Sequence, residues 1–224
     1  MNHLRFCVLL FAVGFATVMT SLDCDASDPA RAKVVCFGDS ITKQGYSEIL
    51  ASLLDVQAIN AGVGGNTTSQ ALRRMSRDVL AQHPDVVVIL FGTNDTRIDN
   101  AGVFVPLEKY TANLHQMIDA CEKQEARVVL CTIPPINHER YFTRHDKAAF
   151  ERVGGLGVLL TKYREAVVQV ASQRNVAVVD LNQLLQEQPE WLSDDGVHAS
   201  KEGVAILAKH IAKAVRPLIE AGPK

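Results

Sequence analysis

The chain carries no excess of charge of either sign. Its 224 residues include 23 Lys and Arg against 25 Asp and Glu, a formal net charge of −2 at pH 7. That balance gives no reason to expect nucleic acid or an anionic surface as a partner. Cysteine is scarce, with five in the whole chain. Cys36, Cys121 and Cys131 remain once the N-terminal segment is set aside. An odd count argues against a complete disulfide framework, although one bridge stays possible. Their apolar surroundings make all three small buried hydrophobes. Repeats, low-complexity tracts and linkers are absent beyond the N-terminus, so residues 27–224 suit a single domain with a sizeable core.

Metal and dinucleotide motifs are missing as well. His138, Glu139, His145 and Asp146 cluster in one segment, yet they match no metal-ligand spacing such as H-E-x-x-H. They read as solvent-exposed loop residues, with contact to the rim of a substrate site as the alternative. His83 and His115 read as structural. Gly62-Val63-Gly64-Gly65-Asn66-Thr67 lacks the third glycine of G-x-G-x-x-G and follows the second predicted strand, not the first. Neither a metal nor an organic cofactor is called for.

What is present begins at the N-terminus. Met1-Asn2-His3-Leu4-Arg5 precedes an apolar stretch from Phe6 to about Thr20, and small residues follow. This is the order of a secretory signal peptide, predicted over residues 1–26 with cleavage near Ala26. The apolar run is short for a membrane span, so the mature chain is expected to be secreted or periplasmic and to have no stable span. Uncleaved anchoring is the alternative. Lipid attachment at Cys24 is disfavoured by Asp23, an acid where a small residue is expected.

Apolar runs then alternate with helical patterns. Strands are predicted at Lys33–Phe37, Val56–Asn60, Val86–Phe91, Arg127–Ile133 and Val176–Asp180. Helices are predicted at Tyr46–Leu54, Ser69–Gln82, Leu107–Lys123, Leu159–Arg174 and Lys201–Ile219. The alternation implies right-handed βαβ crossovers, hence an α/β fold of three layers around a central, mostly parallel five-stranded sheet. Residues 134–157 read as a long loop near the site.

Chemistry gathers where strands end. Val34-Val35-Cys36-Phe37 runs into Gly38-Asp39-Ser40, which places a serine at the edge where open α/β sheets hold their ligands. Ser40 is a candidate nucleophile, although Asp-Ser is also ordinary turn and N-cap chemistry. The glycines at 62, 64 and 65 let backbone N–H groups approach a ligand. Phe91-Gly92-Thr93-Asn94-Asp95 offers an Asn amide, a neutral donor suited to a developing oxyanion. Asp195-Gly196-Val197-His198 can set a carboxylate against an imidazole on one turn. Trp191 and Leu192 either wall a pocket or pack against the core.

Taken together, Gly38-Asp39-Ser40-Ile41, Gly64-Gly65-Asn66, Gly92-Thr93-Asn94-Asp95 and Asp195-Gly196-Val197-His198 resemble the four blocks of the SGNH hydrolase superfamily, the GDSL esterases and lipases. The resemblance runs from about Lys33 to Pro217. Residues 106–114 and 192–198 look most like the isoamyl acetate-hydrolysing branch. The resemblance implies the flavodoxin-like SGNH fold and a carboxylic-ester hydrolase working through an acyl-enzyme. It makes Ser40 the nucleophile, His198 the base and Asp195 its orienting acid. The oxyanion hole would come from the N–H groups of Ser40 and Gly65 and the Asn94 side chain, with Gly64 a neighbouring alternative. Asp39 and Asp95 read as hydrogen-bonding scaffold. Ile41 departs from the leucine of the family pattern, a change between apolar residues. Short-chain or acetyl esters, O-acetylated glycans and lysophospholipids are the implied substrates. An acyltransferase using the same acyl-enzyme and a non-catalytic ligand-binding module are the competing readings.

Overall fold

In the computed structural model, which describes residues 31–222, five strands lie side by side in the order β2-β1-β3-β4-β5. They are β1 Lys33–Gly38, β2 Gln57–Gly62, β3 Val86–Leu90, β4 Arg127–Cys131 and β5 Ala177–Val179. Every neighbouring pair is parallel, so the sheet is wholly and not just mostly parallel. Strand pairing of that kind requires crossovers, and helices supply them: α1 Ser40–Lys43 and α2 Tyr46–Leu54 after β1, α3 Thr68–Asp78 after β2, and α4 Leu107–Glu122 after β3. The β4–β5 connection holds α5 His138–Tyr141, α6 Lys147–Glu151 and α7 Leu156–Arg174. Beyond β5 come α8 Leu181–Leu185 and α9 Lys201–Glu220.

Alternation along the strands makes the three layers. Val35 and Phe37 of β1 pack with α3, α4 and α7, whereas Val34 and Cys36 pack with α2, α8 and α9. All five residues of β3 are buried, which is why that strand reads as an unbroken apolar run. On α4, Tyr110, Leu114, Met117, Ile118 and Cys121 recur at helical spacing and turn inward together. Cys36, Cys121 and Cys131 are free and buried, as their neighbours in sequence suggested. Burial pushes the Cys36 thiol up to about 12, leaving it a small hydrophobe.

The segment 134–157 is not one long loop. Asn137 and Asp146 each accept a hydrogen bond from a backbone N–H inside the following turn, at 3.0 Å from Arg140 and from Ala148, and these caps start α5 and α6. Helix α7 begins three residues before its predicted start. Trp191 is 2 % exposed and packs with α9, where Gly203 admits its backbone so closely that a Cβ would stand 1.9 Å from the Trp191 carbonyl oxygen. Trp191 and Leu192 therefore pack against the core and do not line the cleft described below. Among the described residues, no helix is long and apolar enough to cross a membrane. The predicted signal peptide lies outside them.

Candidate active site

The order β2-β1-β3 puts the topological switch beside β1, and the carboxyl ends of these three neighbours face one edge. Ser40 follows β1, Gly65 follows β2 and Asn94 follows β3. Three blocks far apart in the chain thus become adjacent. They line a cleft of about 470 Å³ together with Thr93, Arg97, Tyr141, Arg144, His145, Asp195, Val197 and His198.

Ser40 opens the short helix α1, whose N-cap is Asp39. The Asp39 Oδ1 accepts from Ile41 N at 3.0 Å, and its Oδ2 accepts from the Asn94 amide at 3.2 Å. The strand just before must run close to its neighbour: a Cβ on Gly38 would fall 2.6 Å from the Leu90 carbonyl oxygen. Asn94 Nδ2 also donates to the Asn66 carbonyl at 3.1 Å, so both hydrogens of this amide already have acceptors. Gly65 has φ +74, a left-handed conformation that strains any residue with a Cβ.

The glycine loop is fastened from behind by Arg74 on α3. Its guanidinium donates to Asn66 Oδ1 at 2.7 Å, to the Ala61 carbonyl at 2.8 Å and to the Gly38 carbonyl at 2.9 Å. It pairs with Asp78 at 3.1 Å and lies 4.6 Å from the centre of the Phe37 ring. A single buried side chain therefore links the ends of β1 and β2 with the loop that follows. Asp95 performs a similar task for α3, accepting from both the backbone N–H and the hydroxyl of Thr68.

The fourth block arrives from the other side. An antiparallel bridge between Leu192 and Ala199 pinches residues 193–198 into a turn, closed by Ser193 N donating to the His198 carbonyl at 2.9 Å. Within it, Asp195 Oδ2 meets His198 Nδ1, while Oδ1 accepts from Ser193 Oγ, Val197 N and His198 N at 2.8 to 2.9 Å. Partial burial works against the Asp195 charge, yet the His198 ring and these donors outweigh it and hold the carboxyl well below its usual range. With Nδ1–H donating to Asp195, the bare His198 Nε2 accepts from the Ser40 hydroxyl across 2.8 Å. Asp194, by contrast, is exposed and faces Arg140 at 3.5 Å.

One clamp aligns the two halves. The Gln44 side chain, at the end of α1, donates to the Ala199 carbonyl at 2.9 Å and accepts from Ala199 N at 3.0 Å. The residue next to His198 is thereby tied to the helix that carries Ser40. Gln44 and Arg74 had no signal in the sequence, since their partners are backbone groups.

Asp39 and Asp95 stand under the cleft as hydrogen-bonding scaffold. Burial raises the Asp39 carboxyl to about 7 and the Asp95 carboxyl to about 6, each offset in part by the bonds just described. Of His138, Glu139, His145 and Asp146, which cluster in the β4–α7 segment, the first two and Asp146 are exposed as expected. His145 is not: it lines the cleft, bonds Asp99 at 3.2 Å and stacks on Tyr141 at 4.0 Å between ring centres. Among the described residues no group of three or more His, Cys, Asp or Glu side chains is placed to hold a metal ion.

Comparison with known proteins gives the family. Residues 36–206 match the model of the GDSL-like lipase/acylhydrolase family. An uncharacterized lipoprotein of Bacillus subtilis is 33 % identical over 168 residues, which cover 66 % of this chain and 69 % of that protein. A GDSL esterase/lipase of Arabidopsis thaliana is 29 % identical over 211 residues, covering 83 % of this chain and 86 % of its own. Among solved structures, an acetyl xylan esterase superposes with a TM-score of 0.67 at 28 % identity, covering 82 % of this chain and 99 % of that one.

Proposed function

The chain belongs to the GDSL-like lipase/acylhydrolase family and is a carboxylic-ester hydrolase, and from that premise we propose that Ser40, His198 and Asp195 are its catalytic triad, acting on short-chain or acetyl esters. The observation that carries this reading is the 2.8 Å contact between Ser40 Oγ and His198 Nε2, with the opposite ring nitrogen held by Asp195. His198 takes the proton of Ser40 as Oγ attacks the ester carbonyl, then gives it to the departing alcohol. Water, deprotonated by the same imidazole, releases the acyl group from Ser40. Asp195 fixes the tautomer and stabilises the imidazolium that forms in between.

The oxyanion is received by the N–H groups of Ser40 and Gly65 and by Asn94 Nδ2. Since Asn94 already serves Asp39 and Asn66, one of these bonds loosens or becomes shared as negative charge grows on the substrate oxygen. O-acetylated glycans are the preferred natural substrates on this reading, which the likeness to an acetyl xylan esterase supports. Lysophospholipids come second. Residues 1–26 act as an export signal and residues 27–224 are the mature domain, outside the cytoplasm. The charge and hydropathy order of the N-terminus supports this, as does the lipoprotein name of the Bacillus relative.

The test is hydrolysis of p-nitrophenyl esters from acetate to dodecanoate by the wild type and by Ser40→Ala. Activity on the shorter esters that vanishes in the variant is expected. A folded wild type inactive on every p-nitrophenyl ester would point to a glycan-restricted esterase, a transferase or a binding module, and inactivity on acetylated polysaccharides as well would overturn the hydrolase reading. Acyl transfer to an added alcohol, outpacing transfer to water, would make the protein an acyltransferase.

A further inference from the structure

The cleft has two walls of different character. On one, every oxygen of the Asp195 side chain is spoken for by His198, Val197 and Ser193. On the other stand Arg97, Tyr141, Arg144 and His145. Arg97 is matched, because its Nε and Nη2 grip the two Asp99 oxygens at 2.8 and 3.1 Å. His145 adds no lasting charge. Burial and the neighbouring Arg97 push its pKa down, so it is neutral at pH 7 despite its bond to Asp99.

Arg144 is different. It is exposed, it lines the cleft, and no carboxylate among the described residues lies within 4.0 Å of its guanidinium. Among the described residues its one hydrogen-bond partner is a main-chain group, the Asp195 carbonyl at 2.8 Å. Four of its five N–H donors are therefore uncommitted. The guanidinium is also held in place relative to the reacting atoms. Asn137 N donates to the Gly196 carbonyl at 2.9 Å and Arg140 Nη1 to the Ser193 carbonyl at 3.3 Å, so the α5–α6 segment is fastened to the turn that carries Asp195 and His198. Beside it, the Tyr141 hydroxyl is buried and has no hydrogen-bond partner among the described residues. A buried hydroxyl without a partner is costly unless something else satisfies it.

We propose that this wall, with Arg144 as its charged donor and Tyr141 beside it, is an anion subsite, and that the preferred ester carries a carboxylate or phosphate close to the scissile acyl group. The inference rests on the assignment of Ser40 as nucleophile at the same cleft. A planar guanidinium with free parallel donors suits a carboxylate or a phosphate equally. Since the chain as a whole is close to neutral, the selectivity is local to the cleft and does not come from long-range steering.

Two substrate pairs separate the sources of the anion: O-acetyl glucuronic acid against O-acetyl glucose acetylated at the same ring hydroxyl, and acetylglycerol 3-phosphate against monoacetylglycerol. Acetate release is followed for the wild type, Arg144→Ala and Arg144→Glu, with p-nitrophenyl acetate as a common reference. In the wild type, kcat/KM for one anionic member should exceed its neutral partner by roughly tenfold or more at low salt, and added salt should shrink the ratio. The pair showing the effect identifies carboxylate or phosphate. Arg144→Ala should bring the ratio near one and Arg144→Glu below it, mainly through KM. A wild-type ratio near one in both pairs overturns the subsite. So does a ratio that survives Arg144→Glu while both members slow together, since Arg144 would then only support the Asp195 turn. If p-nitrophenyl acetate is not cleaved by the wild type either, the nucleophile assignment fails and the subsite falls with it.

Discussion

Replacing Asp39 with Asn should flatten the dependence of stability on pH. The carboxyl is fully buried behind Ser40, and burial raises it from an ordinary value of 3.8 to about 7. In the unfolded chain the group ionises near pH 3.9, whereas in the folded one it holds its proton until about pH 7. Below the first value both states are protonated and Asp39 costs nothing. Between the two, folding must bind a proton that the unfolded chain has released, so stability falls as pH rises, by ~1.4 kcal/mol per unit. Above pH 7 the penalty is complete at roughly 4 kcal/mol. Between pH 5 and pH 8, Asp39 alone therefore removes a few kcal/mol, on the order of 2 to 3. Asp95, raised to about 6, adds in the same direction. The depressed Asp195 has the opposite sign, but its contribution is lost only as pH falls below the carboxylate range, outside this window. Histidines held neutral by burial also oppose the trend, and they cancel when the variant is compared with the wild type. The assay is urea unfolding of both proteins at pH 5 and pH 8. Loss of the Asn94 bond to Asp39 shifts Asp39→Asn by a constant, so the informative quantity is the change in the difference between proteins. Relative to wild type, the variant should gain on the order of 2 to 3 kcal/mol from pH 5 to pH 8. A difference that does not move with pH would show that Asp39 is ionised throughout, and the account of the buried scaffold would be wrong.

Asn94→Ala should lower kcat on p-nitrophenyl acetate by about 10²–10³ with little change in KM, the usual effect of losing one oxyanion donor; a loss below threefold would remove Asn94 from the hole. Asp195→Ala should lower kcat strongly yet leave measurable turnover, because the base remains, and Asp194→Ala should match the wild type, since that carboxylate faces Arg140. Equal activity of Asp195→Ala and wild type would refute the pairing with His198. Gln44→Ala should cost roughly tenfold in kcat with KM nearly unchanged, because a small displacement of base from nucleophile is enough to do so; an equal change in both parameters would point to a binding role instead.

Much of this architecture was legible because parallel strands buried on two faces have a plain signature. Val86–Leu90 and Arg127–Cys131 read as apolar runs, and the helices between them showed their periodicity. The short helices α5 and α6 did not, since four or five residues are too few to show a period, and their starts depend on single caps at Asn137 and Asp146. Strand ends shifted by one or two residues for a related reason. Pairing continues as far as the neighbouring strand permits, so β2 runs on to Gly62 opposite Gly38.

At the site the division has a physical cause. On the proposed assignment Ser40, Asn94, Asp195 and His198 need particular side-chain atoms for proton transfer or charge stabilisation, and Gly65 needs its left-handed backbone, so few residue types can stand there and the blocks are readable as motifs. The groups that bring them into register work differently. Gln44 grips the backbone of Ala199, and Arg74 grips the carbonyls of Gly38 and Ala61. A backbone carbonyl is the same whatever the residue, so such a contact leaves no mark at its receiving end. Its donor reads as one more polar residue on a helix or loop. The chemistry of the cleft is thus written in short local blocks, while its alignment is carried by long side chains reaching featureless partners, 155 residues away in the case of Gln44. Reactivity could be inferred before the fold was known; the alignment, and with it the charged side chain beside the Asp195 turn, required the fold.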